Sequence, residues 1–293
     1  MFDKLKLTLE MIKFEHSVFA LPFALTGALL AIRDAGLDAQ TAAVKLLWIV
    51  VAMVGARSAA MTFNRIADAA GDARNPRTAS RHLPAGRLSP RFAWGFLIVS
   101  AALFLAAARA LNPLCFRLAP LALALVLGYS FTKRFTSLSH LVLGLCLGLA
   151  PTAAWIAVQG ALEPRILWLT AAVTFWTAGF DIIYACQDYD FDRREGFFSL
   201  PARLGIARAL WAARGLHLLM VVCLLAVARS FRLGPLSLAG IAAIAALLVY
   251  EHRLVKPNDL SRVNAAFFTV NGYVSVLFFL FWAADLLVLG AGF

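Results

Sequence analysis

The sequence predicts an all-α, polytopic membrane protein, and three observations carry that expectation. Of 293 residues, 62% are hydrophobic and 15% charged, far from the balance of a soluble globular chain. The apolar residues fall in blocks and not in amphipathic stripes. The blocks are also long enough to cross a bilayer, which takes roughly 20 helical residues. They lie near 17–33, 44–64, 92–111, 113–130, 138–158, 165–187, 207–229, 235–252 and 264–290, so nine transmembrane helices in a single bundle are expected, as one domain over residues 1–293.

The opening MFDKLKLTLEMIKF is amphipathic and lacks a cleavage site of small residues. It reads as an interfacial lead-in and not as a removed signal. The first span begins at Glu15 and His16 and carries Pro22 and Gly27 in a run of small residues suited to close helix packing. His16 either caps the interface or lines the polar end of a cavity. In the second span Arg57 lies seven residues before Asn64, almost two turns, and so shares its face. A guanidinium in hydrocarbon needs a partner, which makes Arg57 an anion-site candidate.

The apolar run then gives way to NRIADAAGDARNPRTASRHLPAG, Asn64 to Gly86. Asn64, Asp68 and Asp72 recur every four residues, about 40° apart on a helix, so one face carries all three. Arg74, Arg77, Arg81 and Arg87 follow. Spans four and five are joined by YSFTKRFT, Tyr129 to Thr136, whose Lys133 and Arg134 suit phosphate or carboxylate. The sixth span ends in DIIYACQDYDFD, Asp181 to Asp192. There Tyr184, Asp188 and Asp192 repeat the four-residue step, with Asp181 seven residues before Asp188 and Arg193, Arg194 and Arg203 after. Because the motifs close spans two and six, the simplest plan is two four-helix repeats plus a ninth helix, with one site where the repeats share an end. Asn264, Asn271 and Tyr273 place polar groups in the last span.

The net charge of +11 does not point to nucleic acid. With the N-terminus cytoplasmic, eighteen lysines and arginines fall on that side of the membrane and seven on the other. The positive-inside rule then gives an N-in topology with both acidic motifs facing the cytoplasm; a bacterial inner membrane is the expected location. Cys115, Cys146, Cys186 and Cys223 lie in apolar runs without CxxC spacing, so they read as packing residues.

Clustered carboxylates at a water boundary can bind Ca²⁺, carry protons, or hold Mg²⁺ against a substrate phosphate. Mg²⁺ takes one or two carboxylates plus phosphate oxygens, and arginines in the adjoining loops suit a polyanion. A diphosphate at the end of an apolar bundle implies an apolar remainder, which describes an isoprenyl diphosphate. Loss of diphosphate leaves an allylic cation sheltered from water, and electron-rich aromatic carbon is the obvious nucleophile.

The motifs NRxxDxxxDxxNPRTxxRxLPxG, YSFTKRFT and DxxYAxxDxDxD resemble, in order and over nearly the whole chain, those of the UbiA superfamily of intramembrane prenyltransferases, in its 4-hydroxybenzoate polyprenyltransferase-like branch. The resemblance implies a nine-helix bundle and Mg²⁺-dependent transfer of a polyprenyl group to an aromatic carboxylic acid in ubiquinone or menaquinone biosynthesis. It implies that Asp68, Asp72, Asp188 and Asp192 hold Mg²⁺ and are catalytic. Arg57, Asn64, Arg77, Arg81, Lys133, Arg134, Asp181 and Tyr184 are the candidate substrate-binding residues, with Arg57 or Arg134 anchoring the acceptor carboxylate. Asn64-Arg65 stands where ubiquinone-pathway members typically have Asn-Asp, and Asp190-Phe191-Asp192 replaces consecutive acids. That wording is more similar to a subgroup that includes menaquinone-pathway enzymes. The alternatives are a relative that prenylates haem, a tetrapyrrole or a lipid, and a cation or lipid transporter without enzymatic activity.

Overall fold

The computed structural model describes residues 2–13 and 19–289, so Glu15 and His16 lie outside the described residues. Among those described, the only β-type pairing is a single antiparallel bridge between Lys256 and Asp259. The helices are α1 (Phe2–Met11), α2 (Leu21–Ala35), α3 (Ala39–Arg74), α4 (Pro90–Leu111), α5 (Pro113–Thr132), α6 (Ser139–Gln159), α7 (Leu167–Ala185), α8 (Tyr189–Glu195), α9 (Leu200–Leu204), α10 (Ile206–Ser230), α11 (Pro235–Leu254) and α12 (Asn271–Ala284). Among the described residues, eight helical stretches are long and apolar enough to cross a membrane: α3, α4, α5, α6, Pro164–Glu195, α10, α11 and Ala265–Leu287. The ninth expected span is α2, whose 15 residues reach about 22 Å at 1.5 Å per residue. The all-helical membrane class therefore holds, with the first span shorter than the rest.

Local chemistry sets the ends. Asp38 precedes α3, and its carboxylate accepts the N–H groups of Gln40 and Thr41 at 3.0 Å and the Thr41 hydroxyl at 2.7 Å. Those bonds satisfy orphan donors at the helix start and hold the Asp38 carboxyl below the usual carboxylate range. Ser89 accepts from the Phe92 N–H at 3.2 Å ahead of α4, with Pro90 in the first turn. Gly36, at φ +60°, closes α2 in the left-handed conformation that favours glycine.

The chain divides into two compact units, Met1–Ser17 with Leu47–Phe131, and Val18–Leu46 with Thr132–Phe293. In the first, the end of α1 lays Met11 and Ile12 against Leu88, Met61, Leu83 and Phe96. Arg65 donates to the Met11 carbonyl and Arg57 to the Lys13 carbonyl, each at 3.2 Å. Cations thus meet the carbonyl-rich end of a helix, where its dipole favours them. The interfacial lead-in is a docked helix.

In the second unit, α2, α6, α7, α10, α11 and α12 share a core centred on Phe23, Trp155, Trp176, Phe278 and Trp282. Small residues let backbones touch, as expected of membrane helices. A Cβ added at Gly27 would lie 2.4 Å from the Pro151 carbonyl oxygen, and one at Gly144 2.3 Å from that of Thr174. Rings run in a column along this core: Trp176 against Phe23 and Phe180, Phe180 against Phe267, and Tyr184 on Phe267 at 4.2 Å.

A polar chain crosses the same core. The Trp176 indole N–H donates to Asn271 Oδ1 at 2.7 Å, which leaves the Asn271 amide to donate to Glu251 Oε1 at 2.8 Å and to the Ala266 carbonyl at 3.1 Å. Glu251 is fully buried, and His217 Nδ1 lies 3.6 Å from its other oxygen. The polar residue expected in the last span, Asn271, is satisfied between helices. At the start of α11, the Asp285 carboxylate accepts from the backbone N–H groups of Gly234, Leu236 and Ser237 at 2.6, 3.1 and 3.3 Å.

Candidate active site

The first acidic motif lies within α3, which runs unbroken through it to Arg74. The four-residue spacing therefore works as read. Asn64 Nδ2 donates to Asp68 Oδ2 at 3.2 Å and reaches Ser130 Oγ at 3.5 Å. Asp68 and Asp72 are both buried. Past the helix end, the chain turns back on itself. Asn75 Oδ1 accepts from the Arg77 N–H at 3.0 Å and the Thr78 hydroxyl donates to the Asp72 carbonyl at 3.1 Å. That turn returns Arg81 to the helix, where Nη1 meets both Asp72 oxygens at 2.7 and 2.8 Å. Two residues assigned separately by sequence, a metal ligand and a phosphate ligand, form one ion pair. The Arg77 side chain is exposed. Arg57 is brought to the end of α1.

The second motif is built differently. α7 ends at Ala185, a turn of 3₁₀ helix covers Cys186–Asp188, and α8 restarts at Tyr189. A 3₁₀ turn advances three residues per turn, so the four-residue step from Tyr184 to Asp192 does not trace one face of a continuous α-helix. Contacts from the loops position these acids instead. Asp192 is hydrogen-bonded by the Ser199 side chain, and the Asp188, Lys133 and His140 side chains lie near enough to act on it electrostatically. Ser199 Oγ also caps α9 by accepting from the Ala202 N–H at 3.3 Å.

The loop after α8 is stitched to the one before α6. The Phe198 N–H donates to the Lys133 carbonyl at 2.8 Å, Arg203 donates to the Ser137 hydroxyl at 3.1 Å, and the Lys133 ammonium sits 5.4 Å above the Phe197 ring. Arg134 is exposed. Arg193 and Arg194 turn back onto their own helix, to the Tyr189 hydroxyl at 2.9 Å and the Asp190 carbonyl at 3.1 Å.

Sequence reasoning missed His140. It is buried, its Nδ1 lies 2.7 Å from Asp181 Oδ2, and its Nε2 accepts the Leu200 backbone N–H at 3.2 Å. Forty-one residues separate His140 from Asp181, so no periodicity links them. The only available signal was a histidine opening an otherwise apolar span.

The donors suit a hard divalent cation. Both motifs offer carboxylate and amide oxygens, the ligand set of Mg²⁺ more than of softer metals. Among the described residues, no three histidine, cysteine, aspartate or glutamate side chains gather into a complete metal cage.

Known proteins resemble this chain over most of its length. A 4-hydroxybenzoate octaprenyltransferase of Aeromonas hydrophila is 35% identical over 237 residues, 80% of this chain and 81% of that one. The structure of a UbiA homolog from Aeropyrum pernix superposes with a TM-score of 0.84 at 34% identity, covering 93% of this chain and 98% of that one. A UbiA homolog from Archaeoglobus fulgidus bound to DMAPP and Mg²⁺ shares the fold, with a TM-score of 0.69 at 22% identity over 96% and 99% of the two chains. The model of the UbiA prenyltransferase family matches residues 20–287. An integral membrane protein with these helices and this match across nearly its whole length belongs to the UbiA prenyltransferase family.

Proposed function

We propose that the protein is an aromatic prenyltransferase that moves a polyprenyl group from its diphosphate to the ring of 4-hydroxybenzoate or a related aromatic carboxylic acid, in quinone biosynthesis. The observation that carries this is the 35% identity to a 4-hydroxybenzoate octaprenyltransferase across four-fifths of both chains. The oxygen-only acidic motifs at the ends of long apolar helices give it a chemical basis.

Asp68 and Asp72, with Asp188 and Asp192, are the residues that would hold Mg²⁺. Bound there, Mg²⁺ would neutralise the departing diphosphate. That the two motifs serve one diphosphate, so that residues 1–293 work as a single domain, rests on their matched wording in the sequence. Asn64 orients Asp68. Arg81, now paired with Asp72, is the cation best placed to exchange a carboxylate for a phosphate, and Lys133 is the basic residue near Asp192. The apolar helices keep water from the allylic cation. An N-in topology, with the motifs cytoplasmic, follows from the charge asymmetry of the loops.

The test is to supply the purified protein in lipid nanodiscs with Mg²⁺, radiolabelled geranyl diphosphate and a panel of acceptors: 4-hydroxybenzoate, other aromatic acids, haem and a phospholipid headgroup. Label transferred to an aromatic acid is the expected outcome. Transfer only to haem or lipid reassigns the acceptor. Cation flux in liposomes without donor consumption overturns the enzymatic reading.

A further inference from the structure

We propose that Asp181 is the base that takes the proton lost by the aromatic acceptor, and that His140 is the positioning residue that aims it. The inference rests on the prenyl-transfer reading above and concerns a residue outside the four motif aspartates.

Asp181 differs from those four in its surroundings. It lies within the α7 helix, seven residues before Asp188 and ahead of the 3₁₀ turn at Cys186–Asp188, which puts it about 10 Å farther along the axis toward the apolar interior. On the prenyl-transfer reading, a donor anchored at Asp188 would lay its hydrocarbon along the apolar stretch of α7 that carries Asp181. Among the described residues, His140 is its one hydrogen-bond or ion-pair partner, and no lysine or arginine is paired with it. A carboxylate without a cation repels a diphosphate. It attracts an allylic cation and a proton.

The hydrogen bonds of His140 fix its role. A backbone N–H can only donate, so the 3.2 Å contact from Leu200 makes Nε2 the acceptor. The ring proton is then on Nδ1 and points at Asp181 Oδ2, 2.7 Å away. His140 has no lone pair left to offer a substrate, and its bond holds one Asp181 oxygen while the other stays open. The Asp181 side chain is 24% exposed against 6% for His140. The carboxylate is therefore the accessible member of the pair, and the imidazole is the support behind it. This is the same logic by which an outer partner orients a reacting group.

The step balances. The acceptor's ring carbon bonds to C1 of the prenyl group while the C1–O bond breaks and its electron pair leaves with diphosphate. The proton on that ring carbon passes to the open Asp181 oxygen, and the C–H pair restores aromaticity. Water then takes the proton from Asp181.

The experiment compares wild type, D181N, H140A and H140N in nanodiscs with Mg²⁺, geranyl diphosphate, and 4-hydroxybenzoate carrying either hydrogen or deuterium beside the hydroxyl. D181N should lose on the order of 10²–10⁴ in kcat, the span of general-base contributions. It should also show a primary isotope effect absent from wild type, because deprotonation becomes slow. Geranyl thiodiphosphate, which is not cleaved, should bind D181N within about threefold of wild type, which shows that the variant is folded with an intact donor site. H140A should fall about tenfold in kcat, and H140N, whose amide keeps a donor toward Asp181, should recover most of that loss. A D181N enzyme with wild-type kcat and no isotope effect overturns the assignment. So does loss of analogue binding in parallel with activity. A wild type that leaves 4-hydroxybenzoate unprenylated overturns the acceptor reading on which the inference stands.

Discussion

The two acidic motifs read alike in sequence, yet the structure holds them in opposite ways. Asp68 and Asp72 lie on one uninterrupted helix of 36 residues, and their partners come from the same stretch of chain: Asn64 four residues earlier and Arg81 nine residues later. Asp188 closes a 3₁₀ break and Asp192 lies in the short helix after it; Ser199, seven residues later, holds Asp192, and His140, 41 residues earlier on α6, holds Asp181. The first motif is positioned by helical periodicity and a local ion pair, the second by loops stitched together around it. One repeat pattern is thus carried by a continuous helix in one place and across a helix break in the other. Broken helices are common where membrane proteins bind ligands.

Three measurements press on that difference. The largest effect is expected at the acids themselves. Asp68→Asn and Asp188→Asn should each lower kcat on the order of 10²–10³-fold, the size of loss when one charge-stabilising group is removed from a reacting centre. If both motifs serve one diphosphate, the double variant should fall far less than the product of the two losses. Steady-state assays in nanodiscs decide this, and fully multiplicative losses would separate the motifs.

A smaller effect is expected at the ion pair. Arg81→Ala leaves the Asp72 carboxylate, 9% exposed, without its partner, and an unsatisfied buried acceptor costs about 1–3 kcal/mol. Thermal unfolding without divalent cation should show the loss, and saturating Mg²⁺ should restore part of it by taking Arg81's place. An unchanged melting curve would mean that Arg81 is not the counter-ion of Asp72. The smallest effect belongs to Ser199→Ala, which removes a helix cap worth about 1 kcal/mol along with the Asp192 hydrogen bond. Its signature is a rise in the KM for donor together with a modest drop in stability. The same replacement at Ser89, which caps α4 through the Phe92 N–H, should lower stability alone.

Composition and block length were enough to read the membrane class, the helices and the first motif's common face, because each follows from local periodicity. The sequence could not place His140 against Asp181, since that contact depends on how α6 packs on α7 through Gly144 and Gly148. Nor could it show the 3₁₀ turn after Ala185, which no proline or glycine marks. By residue type Arg57 and Arg65 read as an anion ligand and ordinary loop charge; their contacts with the Lys13 and Met11 carbonyls depend on the docking of α1. Asp72 and Arg81 each stand out in the sequence, but their pairing depends on the turn made by Asn75 and Thr78.

The reach of Asp285 has a bearing on how the molecule is made. Three backbone N–H groups at the start of α11 wait for a carboxylate synthesised 48 to 51 residues later. Until the ribosome has delivered Asp285, those groups have no such acceptor. The start of α11 is therefore capped only once the end of α12 has been made, which ties the two helices together at that end.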